Sequence, residues 1–258
     1  MEKVALVTGG ASGIGEASAR MFAADGFHVA ILDRDTERGP DVVRSIGDAA
    51  HFFTCDVGDP EAIQTVVDGV ARALGRIDAC VAAAGILENP STILEMDAEA
   101  HDRLWQINYN GTVHTCRAVG EVMSRQGSGA MVTLGSINSF VALPLAAYCP
   151  SKTAILRLTE MLAVELGRFG IRVNGVAPTY VMTPAIKARI ASGERDPQAI
   201  RDSNALGILV EPEDIASVIR FLCSDAARAI SGQMIPVDAA HMAKTQYHSF
   251  AGGVPWGN

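Results

Sequence analysis

Apolar residues along this chain fall into two alternating textures. Short unbroken runs begin with Val4-Ala5-Leu6-Val7-Thr8 and recur at 28–33, 51–55, 77–82, 129–134, 171–176 and 233–237. Runs of that length without polar alternation predict strands buried on both faces. Between them, apolar residues are spaced three and four apart, as on one face of a helix. Ala17, Ala19, Met21, Phe22 and Ala24 follow the first run, and Ile63, Val66, Val67 and Val70 follow Pro60. A helix predicted from near Ala98 carries Leu104, Ile107 and Asn108, then Gly111, Val113 and Cys116. A further helix opens at Tyr148 and carries Ile155, Leu158, Leu162 and Leu166. The last begins at Pro212-Glu213-Asp214, with acids at its positive end. Strands alternating with helices predict an α/β fold with one doubly wound parallel sheet, helices on both faces.

Pro236 inside the final run predicts an edge strand, because it cannot donate to a ladder on both sides. Residues 184–210 are mixed, with Gly193, Pro197 and several charges, and suit a mobile lid over a site. No linker-like change in composition divides the chain. Residues 1–240 read as one domain that includes this lid. The tail 241–258, with Tyr247, Phe250 and Trp256, carries no legible pattern and either packs on a neighbouring subunit or frays.

Composition narrows the function classes. The 258 residues are 48% hydrophobic, enough for a sizeable core, and the net charge of −8 disfavours a nucleic-acid or anionic-membrane partner. No charge-free apolar stretch is long enough to span a bilayer, and the first strand leaves no room for a cleaved leader. Five dispersed cysteines, without Cys-x-x-Cys, suit reduced thiols in the cytoplasm. The six histidines have no ligand spacing, so no metal is expected.

Two stretches carry chemistry. After the first strand, Gly9-Gly10-Ala11-Ser12-Gly13-Ile14-Gly15 opens a helix. Glycines in that frame let the backbone approach a pyrophosphate, which the N–H groups of the helix start then face. Asp33 closes the second strand at about the spacing from the glycine turn at which a carboxylate reaches an adenosine ribose. It would repel a 2′-phosphate, which favours NAD, although the adjacent Arg34 could pair with one. The second stretch is Tyr148-Cys149-Pro150-Ser151-Lys152. One helical turn apart, phenol and ammonium can meet, and a neighbouring cation is expected to lower the phenol pKa from near 10. Such a pair suits proton transfer between an alcohol and a carbonyl.

Taken together, these motifs resemble the short-chain dehydrogenase/reductase family over about residues 3–240. Thr8 to Gly15 matches that family's TGxxxGxG turn, Tyr148 and Lys152 match its YxxxK pair, and Asn108-Tyr109-Asn110-Gly111 matches its NxxG motif. Ser136 precedes the tyrosine as the family's catalytic serine does, with Ser139 a rival. The resemblance implies a single-domain Rossmann-type fold. It implies a catalytic set of Ser136, Tyr148, Lys152 and Asn108, the last as a link in a proton relay. It also implies a nicotinamide site made by Gly9, Ser12, Gly13, Ile14, Gly15, Asp33, Asp56, Val57, Ala84, Gly85, Tyr148, Lys152, Pro178, Val181 and Thr183. A homotetramer built through the helices around 108–124 and 150–168 follows from the same likeness. Three places depart from the family pattern: Ala82-Ala83-Ala84-Gly85 for NNAG, Pro178-Thr179 for Pro-Gly, and Val237-Asp238-Ala239-Ala240 for VDGG.

The expected function is interconversion of a small or medium secondary alcohol and its ketone with NAD. Two alternatives keep the fold, a cis-dihydrodiol dehydrogenase and a 3-oxoacyl-thioester reductase. An NAD-sensing regulatory protein is the non-enzymatic alternative, and it would have no need of the four catalytic residues together.

Overall fold

A computed structural model describes residues 2–254; Trp256 of the tail lies outside them. Seven parallel strands form one sheet in the order β3-β2-β1-β4-β5-β6-β7. They are β1 (Val4–Thr8), β2 (His28–Asp33), β3 (Ala50–Thr54), β4 (Ala79–Ala82), β5 (Gly129–Leu134), β6 (Ile171–Pro178) and β7 (Met234–Val237). β7 pairs only with β6, with Pro236 opposite Ala177, so the proline sits on the edge strand as its chemistry requires.

The helices are α1 (Gly13–Ala24), α2 (Arg38–Ile46), α3 (Pro60–Leu74), α4 (Ala98–Trp105), α5 (Gly111–Gln126), α6 (Tyr148–Gly167), α7 (Pro184–Ala191), α8 (Pro197–Asp202), α9 (Pro212–Cys223) and α10 (His241–His248). Because successive strand residues point to opposite faces, β1 feeds two cores. Val4 and Leu6 join Ile63, Val67, Val119 and Met123 from α3 and α5. Ala5 and Val7 join Phe22, Ile215, Ile219 and Leu222 from α1 and α9. This burial on both faces is why β1 shows no polar alternation.

The chain winds from β1 outward to β3, then returns to lay β4 on the other side of β1. That reversal opens a crevice at the carboxyl ends of β1 and β4, the usual place for a ligand on such a sheet. The glycine turn after β1 and the Ala83-Ala84-Gly85 exit from β4 form its two lips.

Three elements differ from the sequence expectation. The helix expected to run unbroken from Ala98 is α4 and α5 joined by a π turn over Gln106–Asn110. One inserted residue barely disturbs a 3.6-residue apolar period, so periodicity alone does not register it. The 184–210 segment folds into α7 and α8, and a bridge between Val181 and Val210 ties its base. The start of the tail is helical rather than frayed. α10 docks on the protein's own α8: Lys244 Nζ donates to the carbonyl of Asp202 at 2.6 Å, and His241 Nδ1 lies 3.1 Å from Ser203 Oγ. Among the described residues no helix is long and apolar enough to cross a membrane.

Candidate active site

One cleft of about 420 Å³ runs along the carboxyl edge of the sheet. Its walls include Gly9, Ser12, Gly13, Ile14, Gly15, Asp33, Asp56, Val57, Ala84, Gly85, Ser136, Tyr148, Lys152, Pro178, Val181 and Thr183. These residues come from seven separate segments at strand ends and helix starts, and the sheet order brings them together.

At one end the glycine turn is shaped by close approach. Gly9 has φ +66°, and a Cβ there would stand 2.8 Å from the Ala84 Cα. Gly13 has φ +54°, and its Cβ would stand 2.9 Å from Thr183 Cγ2. Neither position has room or backbone for another residue. Ser12 precedes α1 without a side-chain cap bond, which leaves the first N–H groups of that helix aimed into the cleft. Asp33 is oriented from both sides. Its carboxylate accepts from the Ala11 N–H at 3.1 Å and from the Asp35 N–H at 3.0 Å. Two of about four lone-pair positions are thereby used, and the others remain for hydroxyl donors.

At the other end α6 presents Tyr148 and Lys152 from its first two turns, with Lys152 Nζ 5.4 Å from the phenol ring centre. Nζ donates to the Leu134 carbonyl at 2.7 Å. Ser139 donates to the Lys152 carbonyl at 2.8 Å and accepts from the Ser136 N–H, so the rival serine is a buttress. Ser136 lines the cleft and Ser139 does not. Burial pushes the Tyr148 phenol up to about 12, opposed by its hydrogen bond with Ser136. Burial pulls the Lys152 ammonium down to about 8. This corrects the expected order of effects. Desolvation of the phenol sets the direction, and the nearby ammonium is turned toward a backbone carbonyl.

Asn108 does not reach the cleft wall. It is 1% exposed, and its amide grips one residue twice, accepting from the Ile86 N–H at 2.8 Å and donating to the Ile86 carbonyl at 3.0 Å. The π turn tucks it there, behind the β4 exit loop.

A family model described as enoyl-(acyl carrier protein) reductase matches residues 9–239. The chain belongs to the short-chain dehydrogenase/reductase family. The D-threitol dehydrogenase of Mycolicibacterium smegmatis is a family relative, 37% identical over 246 residues, 94% of each chain. A Brucella melitensis structure described as ribose-5-phosphate isomerase superposes with a TM-score of 0.94 at 33% identity, covering 99% of this chain and 98% of that one. ElxO with NADP bound superposes at a TM-score of 0.89 and 29% identity, covering 94% of this chain and all of that one. As a family member the chain is an oxidoreductase that uses a nicotinamide nucleotide, and its residues fit one. The turn is pared to glycine where a backbone must approach, the first N–H groups of α1 receive no side-chain cap, and among the described residues the Thr179 hydroxyl, in a residue lining the cleft, is buried without a partner.

Four cleft residues carry no motif that assigns them a role. Glu88 caps α6 from the β4 exit loop, accepting from the Ala147 N–H at 3.1 Å and the Tyr148 N–H at 2.7 Å. The contact spans sixty positions, and no local motif signals it. Arg189 lies in α7 and Arg195 just before α8. Thr179 was noted only as a departure from a glycine.

Proposed function

We propose that the protein interconverts a small or medium secondary alcohol and its ketone, with NAD as the hydride partner. The observation that carries the reading is one continuous cleft with an ordered carboxylate at one end and Ser136, Tyr148 and Lys152 at the other. When bound, the nicotinamide nucleotide supplies or accepts the hydride. The glycine turn and α1 would hold its phosphates, Asp33 its adenosine ribose, Asp56 and Val57 its adenine, and Thr183 with Val181 its amide end. The chain itself handles the proton. Tyr148 gives its phenolic proton to the ketone oxygen in reduction, and in oxidation its phenolate, formed by loss of that proton to solvent, takes the carbinol proton. Ser136 donates a hydrogen bond to that oxygen as negative charge grows on it. Lys152 would hold the ribose next to the reacting ring, and Asn108 fixes the wall through Ile86. Acid–base assistance of this kind contributes roughly 100- to 10,000-fold.

A phenol near 12 is fully protonated at neutral pH, which makes the site ready as a proton donor. Asp33 supports NAD over the NADP bound in ElxO, since a carboxylate accepts from ribose hydroxyls and repels a 2′-phosphate. A sugar-phosphate isomerase would have no use for the dinucleotide cradle. The dispersed reduced thiols suit a cytoplasmic enzyme. The test is a panel of secondary alcohols with NAD and, separately, NADP, followed at the NADH absorbance band. The reading expects turnover of at least one alcohol, at least tenfold faster with NAD; a preference for NADP removes the role given to Asp33.

A further inference from the structure

We propose that Arg189 and Arg195 form an anion-recognition pair at the catalytic end of the cleft. The alcohol or ketone would then carry a carboxylate or phosphate away from its reacting carbon. The inference rests on the hydride-transfer reading and names the substrate class for it. Both arginines line the cleft and both are half-buried. Acidic residues outnumber basic ones by 29 to 21, yet no carboxylate lies within 4 Å of either guanidinium among the described residues. Arg195 Nη1 bonds only the Glu194 carbonyl, at 2.8 Å, while the Glu194 carboxylate takes the Ser192 hydroxyl. Arg189 Nη1 reaches the Glu88 carbonyl at 3.5 Å. A guanidinium has five N–H donors, so most remain open on each residue. Their planar forks match an oxyacid group bidentately.

Placement separates this pair from the nucleotide's phosphates. Glu88, which Arg189 contacts, sends its carboxylate to the Tyr148 N–H, so Arg189 stands beside the catalytic turn. The Arg195 N–H donates to the Arg189 carbonyl at 3.1 Å, which keeps both on the same side of the lid. The acids near them are engaged elsewhere: the Glu88 carboxylate is directed at the positive end of α6, Glu194 takes the Ser192 hydroxyl, and Asp196 accepts from the Gln198 N–H. Leu87, Leu143 and Ile186 supply apolar wall around the body of the substrate.

The experiment compares methyl ketones from 4-oxopentanoate to 7-oxooctanoate with their primary amides, and 4-hydroxy-2-butanone with its phosphate monoester, each reduced with NADH. The wild type is expected to favour one anionic member over its neutral partner by about 10- to 100-fold in kcat/KM, and the better of the carboxylate and phosphate arms names the group. In Arg189→Gln and in Arg195→Gln the ratio falls toward one while NADH affinity, read by fluorescence, stays within about twofold. A wild-type ratio near one overturns the inference and leaves the hydride-transfer reading intact. A loss of NADH affinity equal to the loss of turnover overturns it too, because the arginines then serve the nucleotide. A second readout needs no turnover: binding of the same compounds to the NADH-loaded Tyr148→Phe protein, followed by NADH fluorescence. If no compound is reduced, the hydride-transfer reading fails, and the absence of anion-selective binding in this second readout overturns the inference.

Discussion

At the scale of single residues, desolvation sets the chemistry of this site more than neighbouring charge does. Lys152 is buried with its ammonium pulled to about 8, so between about pH 8 and 10.5 the unfolded chain holds a proton that the folded chain has released. Stability contributed by this group therefore rises with pH across that window. Tyr148 works in the opposite sense, and only above pH 10, where the unfolded phenol ionises and the folded one does not. We expect Lys152→Met to raise the melting temperature relative to wild type near pH 7, and the gain to shrink by pH 10. Paired thermal melts check this, since the other titrations are common to both proteins. A second residue-scale expectation concerns the end of β7. Ala239 and Ala240 both sit at positive φ, 49° and 61°, a region costing an L-residue roughly 1–2 kcal/mol. The family's glycine pair sits here, so the backbone has kept its shape and the side chains carry strain. Ala240→Gly should stabilise the protein by about 0.5–1 kcal/mol, after the unfolded-state entropy of glycine is set against the relieved strain, as measured by urea unfolding.

Among elements, α6 is the one on which the proposed chemistry depends, and it is held from a distance. Its own N-terminus offers no side-chain cap, and Glu88 reaches in from the β4 exit to take two N–H groups. That same loop is gripped by Asn108 at Ile86. One chain of bonds thus runs from the π turn through the loop to the catalytic helix. Glu88→Ala should cost about 0.5–2 kcal/mol of stability and lower kcat, because the first turn of α6 carries Tyr148. Unfolding curves and steady-state kinetics on one preparation check both. These links explain what sequence could and could not tell. β1, β2, β5 and the start of α6 were legible because their apolar pattern is local and unbroken. The glycine turn and the Tyr148–Lys152 pair were legible because spacing along the chain fixes their geometry. The cap by Glu88 and the tuck of Asn108 were not, because each depends on which loop the sheet order brings alongside. The order of effects on the phenol was misread for a related reason: sequence reports the nearby lysine but not how deeply both groups are buried.

At the scale of the whole molecule, the sheet gathers dispersed loops into one cleft and leaves α6 with an outward apolar face. Met161 is 57% exposed and Val164 80% exposed on that helix. Large apolar side chains standing in water on a catalytic helix favour a subunit interface, in line with the tetramer the family resemblance implies. Light scattering coupled to gel filtration should give a tetramer for the wild type and smaller species for Val164→Asp. A monomeric wild type removes the interface from this account. The tail helix α10 is joined to the end of α8 through Lys244 and His241.

The central claim is that the Tyr148 phenol exchanges a proton with the substrate oxygen beside a bound nicotinamide nucleotide. The most direct test replaces only that hydroxyl. With NADH deuterated at its transferable position and a ketone that the wild type reduces, the wild type should place deuterium on the carbinol carbon. Tyr148→Phe should bind NADH with unchanged affinity and lose at least about a thousandfold in rate. Deuterium transfer by the phenylalanine variant at a wild-type rate would contradict the account.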